Sequence, residues 1–196
     1  MSSFHQIFFE GNVLRRGFWL YVWEIMTPDS HCAYYVGRTG DKASGVCQSP
    51  FDRFSKHLGA NLNNNALRRH MGKHNLLPES CSFRFHTFGP LLTDNELSHD
   101  EKCDVIAALE KSLADSMAKA GYDVLNRVHC QMPLNNKLWE QAREQFARAF
   151  PKLTTLWQDA LGRESYTKCP LSDLPKFIIS ASGKRRRAVF LCTDEP

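Results

Sequence analysis

The chain has 196 residues, of which 42% are hydrophobic and 23% charged, with 25 Lys+Arg against 21 Asp+Glu for a net charge of +4. That length fits one domain, or one domain with a substantial extension, and these proportions exclude wholesale disorder. The charge is uneven: residues 1–130 carry 14 basic and 14 acidic side chains and residues 131–196 carry 11 and 7, so the excess lies in the last third, a distribution that suits a polyanion and equally a solvated basic face.

In chain order, residues 18–25 and 33–38 are rich in Tyr, Trp and Val and are separated by the turn-forming stretch Thr27-Pro28-Asp29-Ser30, which predicts two antiparallel strands. If strand parity holds, Tyr21 shares a face with Trp19 and Trp23, and Tyr35 with Ala33 and Gly37. Gly37 leaves room for a backbone to approach. Ser49-Pro50 has the composition of an N-cap followed by proline at the first helical position, and predicts a helix to Leu58 that buries Phe51, Phe54 and Leu58 and ends at Gly59. Arg53 and His57 are four apart and share one edge of it.

A second helix is expected from Asn61 to about His74, and a third strand over 82–88. A long helix capped by Thr93 or Asp94, firmest over 100–119, should bury Ile106, Leu109, Leu113 and Met117 and stop at Gly121. Residues 123–128 form a short extended segment. Beyond Pro133, helices are predicted over 136–149 and 153–161. A β-hairpin then spans residues 176–191.

The chemistry-bearing residues stand out against this frame. Glu110 has Ile106, Ala107, Leu113 and Ala114 one turn away, so it sits at the margin of an apolar stripe, where an uncompensated carboxylate costs several kcal/mol. A divalent metal would satisfy it, and so would an ion pair with Arg53. Arg53 is rooted between two phenylalanines and suits the charge that develops on a phosphorane, although an arginine on a short helix is commonly solvated. Tyr21 and Tyr35 are packing residues unless both hydroxyls reach one cleft.

Weaker signals accompany these. His70-x3-His74 with Cys81 has zinc-like spacing but lacks further ligands, and Gly37-x-x-Gly40 lacks the Lys-Ser/Thr of a phosphate-binding P-loop. The run Lys184, Arg185, Arg186 and Arg187 would track nucleic-acid phosphates or form a solvated hairpin tip. The seven cysteines are scattered without a CxxC pair, which argues against a disulfide framework and points to a reducing cytoplasm. No run approaches the ~20 apolar residues of a membrane span, so no membrane partner is expected.

The order Tyr…Tyr-Val-Gly…Arg-x3-His…Glu…Leu-Asn over residues 17–128 resembles the GIY-YIG nuclease superfamily. Trp19-Leu20-Tyr21 resembles its first signature, with tyrosine alone matched strictly, and Tyr35-Val36-Gly37 resembles the second. Arg53 with His57 is similar to the helix carrying the family's catalytic arginine, Glu110 to its metal-binding glutamate, and Leu125-Asn126 to the pair that closes the module.

The resemblance implies an α/β (α+β) fold, a small three-stranded antiparallel sheet flanked by helices over residues 1–130, with 131–196 as a helical and β-hairpin extension that contacts DNA. It implies Mg2+-dependent hydrolysis of DNA phosphodiesters. Glu110 would hold the ion, Tyr21 would act as general base with its pKa lowered by Arg38 or Arg53, and Arg53 would stabilise the transition state. Tyr35 and His57 would orient water or phosphate, and Asn126 would brace the site. A restriction-type, double-strand-cutting homodimer is the first expectation. A repair, branched-structure or mobile-element nuclease is the second, and a non-catalytic nucleic-acid-binding protein on the same scaffold is the alternative of another class.

Overall fold

The computed structural model describes residues 4, 6–43, 45–59, 65–94 and 96–154. The predicted hairpin at 176–191, the run Lys184–Arg187 and nearly all of the predicted helix at 153–161 lie outside them. β1 (Phe18–Met26) and β2 (Cys32–Arg38) form the expected antiparallel pair, with Tyr21 opposite Gly37 and Trp23 opposite Tyr35. β3 (Ser82–Leu91) flanks β1 on its other side, also antiparallel, with Thr87 opposite Tyr21 and Phe85 opposite Trp23.

The sheet has four strands, where three antiparallel ones were expected. β4 (Asp123–Val124) lies parallel to β2, giving the order β3-β1-β2-β4. Two residues are too few to carry a period-2 signature, so the sequence shows only an extended segment there.

β1 is central and covered on both faces, and six consecutive residues from Phe18 to Trp23 are buried. One face carries Tyr21, Trp23, Ile25, Ala33 and Tyr35 and packs with Leu67 and Met71. The opposite face carries Leu20, Val22 and Val36 and packs with Ile106, Leu109, Leu113 and Met117 of the long helix.

α1 (Pro50–Leu58) begins with a capping box: the Asp52 N–H donates to Ser49 Oγ and the Ser49 N–H to the Asp52 carboxylate. Its buried side differs from the expected one. Phe51 is exposed with its ring tilted against Phe9, Phe54 and Leu58 are half-buried, and His57 faces inward. An apolar stripe on a nine-residue helix does not by itself fix the helix's rotation when an aromatic floor can accept an imidazole.

α2 (Ala66–Lys73) is capped by Asn65. α3 (His99–Lys119) starts from Ser98 in a second capping box with Glu101, downstream of Thr93 and Asp94. The Asp94 carbonyl instead accepts from the Lys102 ammonium, so it braces the first turn from outside the helix. α3 buries the four predicted apolar residues and stops at Gly121, whose φ of +79° suits glycine. α4 (Asn136–Ala149) adds Ala142 and Phe146, with Phe150, to the same core. No helix among the described residues is long and apolar enough to cross a membrane.

Beyond Tyr34, the β4 side of the ladder along β2 is continued by a side chain. The Leu125 N–H donates to the Tyr34 carbonyl at 2.7 Å; the Val36 N–H then donates to Asn126 Oδ1 at 3.0 Å, and Asn126 Nδ2 donates to the Val36 carbonyl at 2.8 Å. The amide imitates one more residue of a strand. Asn126→Ala should leave two buried backbone groups unpaired and destabilise the fold by about 2–4 kcal/mol, readable by urea unfolding. A loss under about 0.5 kcal/mol would mean that water replaces the amide at no cost.

Candidate functional site

The β1–β2 register sets Tyr21 directly across from Gly37, and the phenol ring lies over that glycine. A Cβ on residue 37 would stand 2.5 Å from the Tyr21 hydroxyl and closer still to the ring. Gly37 therefore makes room for a side chain, where a backbone approach was expected. Across this gap the Tyr21 hydroxyl meets His57 Nε2 at 2.8 Å, and both residues are buried.

His57 is surrounded by rings, with centroids 5.6 Å from Tyr21, 5.5 Å from Tyr35 and 6.4 Å from Trp23. Desolvation among these rings, and then the Arg53 guanidinium, lower its pKa to about 3. The imidazole is neutral at physiological pH. Its Nε2 shares the hydrogen bond with the Tyr21 hydroxyl, while Nδ1 is buried with no partner. Arg53, one helical turn away, has its Nε in the same condition.

Two phenols share this chamber. Burial is the largest influence on each. It raises Tyr21 to about 12, with Arg53 opposing it and Glu110 adding to it, and it raises Tyr35 further, with the Tyr21 and Glu110 charges adding to it. The expectation that Arg38 or Arg53 lowers Tyr21 below its ordinary value is corrected. Both arginines pull in that direction, and desolvation outweighs them. The resting phenol is protonated.

Glu110 rises from α3 on the opposite face of the sheet. Arg38, the next residue after Gly37, points to that face because strand residues alternate, and its Nε donates to Glu110 Oε2 at 3.0 Å. The ion pair is nearly covered, with 24% and 16% of the two side chains exposed. The internal pair therefore forms with Arg38, and Arg53 acts on the carboxylate only through its field. Burial still holds the Glu110 pKa above the ordinary carboxylate value, although both arginines pull it down.

Glu110 stands alone as a metal donor: among the described residues no three His, Cys, Asp or Glu side chains converge. His70 and His74 do not meet Cys81 in a zinc-like group. Instead the His70 ring lies 5.6 Å from Tyr35 and hydrogen-bonds the Leu125 backbone. The five described cysteines are free thiols.

Tyr21, Tyr35, Arg53 and His57 thus form one cluster, with Arg38 and Glu110 beside it across the sheet and Asn126 bracing β2 between them. Trp23 adds its ring from the face that strand parity gave it, and His70 joins without having been expected there. The signal for His70 was present in its helix, next to Arg69 and one turn from Lys73, and the zinc-like spacing drew it elsewhere. Compared with family models, curated proteins and solved structures, the chain gives no match in any of the three.

Gly37→Ala should cost about 1–3 kcal/mol through overpacking and break the Tyr21–His57 hydrogen bond, readable as lost stability and a changed tyrosine absorbance on alkaline titration. A variant with wild-type stability and titration would remove the steric account. His57 gives a pH test. The unfolded chain takes up a proton there near 6.5 and the folded chain only near 3, so stability is full above 6.5 and falls as pH drops through that window. Between pH 7 and pH 5 the wild type should lose about 2 kcal/mol more than His57→Gln in denaturant unfolding. Equal losses would show His57 to be solvated.

Proposed function

We propose that the chain is a metal-dependent endonuclease of the GIY-YIG type, hydrolysing DNA phosphodiester bonds by restriction-type double-strand cleavage. The observation that carries this reading is the buried Tyr21–His57 hydrogen bond over Gly37, with Arg53 alongside it and Glu110 within electrostatic reach. A packing tyrosine needs neither a neutral imidazole at its hydroxyl nor two arginines around it.

Glu110 fits a hard divalent ion as donor. Magnesium keeps most of its waters and is commonly held by one or two carboxylates together with substrate phosphate, and burial holds this carboxylate above its ordinary pKa despite its pairing with Arg38. When bound, such an ion supplies Lewis acidity to a non-bridging phosphate oxygen and the leaving oxygen, and offsets the Glu110 charge that helps keep both phenols protonated.

The chain's own residues do the rest. Tyr21 Oη takes the proton of the attacking water while its own proton passes to His57 Nε2. The arriving phosphodiester places negative charge beside His57 and raises the basicity that burial had suppressed. Arg53, fixed on α1, neutralises the equatorial oxygens of the transition state. Tyr35 orients water or phosphate, and Asn126 holds β2 so that Gly37 stays beneath Tyr21. Double-strand cutting with one such site per chain calls for a homodimer.

The test is supercoiled plasmid nicking with magnesium and with EDTA. Tyr21→Phe and Glu110→Gln should each lose about 100-fold or more in rate, as the removal of a general base or of a main electrostatic group does. Magnesium-dependent nicking that survives both substitutions would defeat the site assignment, and wild-type binding without nicking would favour the non-catalytic scaffold. Sequencing the cut ends separates a fixed motif from a branch point or random ends, and hence a restriction enzyme from a repair or mobile-element nuclease.

A further inference from the structure

A series of aromatic rings leads out of the chamber along α1. Trp23, whose ring lies 6.4 Å from His57, stacks on Phe54 at 5.0 Å. Phe54 lies within 8° of parallel to Phe51 at 6.3 Å, and Phe51 meets Phe9 at 5.0 Å. Each step falls within the roughly 4.5–7 Å of ring–ring contact. Trp23 is fully buried, whereas Phe51 is 36% and Phe9 46% exposed, so the series ends in rings open to solvent.

Phe51 and Phe54 come from one helix, three positions apart, with Arg53 between them in sequence. The charge around these rings is positive: residues 6–16 and α1 carry Arg15, Arg16, Arg53 and Lys56 against Glu10 and Asp52. The Asp52 carboxylate is committed to Ser49 in the capping box, and the exposed Arg16 and Lys56 both act on it electrostatically. Exposed π-faces in a basic surround match a nucleic-acid strand, whose bases stack and whose phosphates are anionic. A second copy of this chain would set like charges against each other. A membrane helix would turn its apolar side outward, whereas α1 turns Phe54 and Leu58 to the fold.

We propose that Phe51 and Phe9 form a stacking platform for a nucleobase beside the scissile phosphate, the base adding one more ring to the series while Arg53 holds the phosphate. The ligand class rests on the endonuclease reading above. A base must leave its duplex stack to reach the platform, and that cost is least where it is unpaired, so substrates that are single-stranded, mismatched or bulged at the cut are favoured. Every base has a π-face, so the platform adds affinity without a recognition sequence.

The experiment measures binding of a fluorescein-labelled single-stranded DNA oligonucleotide to the full chain by anisotropy, in EDTA, over a salt series. Phe9→Ala/Phe51→Ala should lose about fivefold to a hundredfold in affinity, the range that stacking of one base gives. The slope of log Kobs against log salt should stay at the wild-type value, because no phosphate contact is removed. Phe9→Trp/Phe51→Trp should bind as well as wild type. Phe9→Leu/Phe51→Leu keeps apolar area without a π-face and should lose affinity with the alanine pair. Wild-type affinity in the alanine or the leucine pair, or no oligonucleotide binding by wild type, would each overturn the inference. So would an alanine pair that binds the oligonucleotide normally but loses phosphatidylserine vesicles or dimerisation, which would assign the rings to a membrane or to a second copy. Plasmid nicking assayed alongside separates the two proposals. Nicking with ring-independent binding leaves the endonuclease and removes the platform, while ring-dependent binding without magnesium-dependent nicking leaves the platform and removes the catalysis.

Discussion

The site depends on Tyr21 lying across a residue that has no side chain. In an antiparallel pair, residues directly opposite point to the same face and their Cβ atoms approach to about 4.5–5.5 Å, so a large ring on β1 ordinarily stands upright beside its partner. Here the partner is Gly37, and the ring leans over β2 far enough to bring its hydroxyl to His57. The same register sets Trp23 against Tyr35, which completes the aromatic floor under α1. The hydroxyl, the imidazole and the guanidinium of Arg53 are therefore positioned by one cross-strand pairing and by the rotation of one short helix.

That geometry fixes the electrostatics. The rings that hold His57 also exclude water, which keeps the imidazole neutral and both phenols protonated. Tyr21 shares its hydrogen bond with a neutral imidazole, and desolvation keeps the phenol protonated against the pull of both arginines. Arg38 and Arg53 supply positive charge from the two sides of the sheet, yet burial outweighs them at Glu110 as well.

Much of the fold was legible from local chemistry. Ser49-Pro50, the apolar stripe of α3, the stop at Gly121 and the two aromatic strands each carry a short-range signal that the structure follows. What was not legible depends on distant partners. β4 is two residues long and exists because β2 offers an edge. The rotation of α1 is decided by Trp23 and Phe85, far away in sequence, which accept Phe54 and His57 and leave Phe51 outside. The partner of Glu110 followed a similar rule. Arg53 was the partner expected, and strand parity instead places Arg38 on the α3 face.

Strand parity also explains how one site draws on both sides of a sheet. Gly37 and Arg38 are consecutive, so the first leaves a gap under Tyr21 on one face while the second carries a guanidinium to Glu110 on the other. A full strand alongside this part of β2 would bring its own side chains against both. Asn126 continues the ladder at Val36 with an amide alone, whose two hydrogen bonds satisfy the backbone without adding a residue at the level of Gly37. The short β4 and the asparagine that extends it are thus two parts of one solution: they complete the sheet up to the residue before the gap, and leave the phenol and the carboxylate close enough to feel each other's charge.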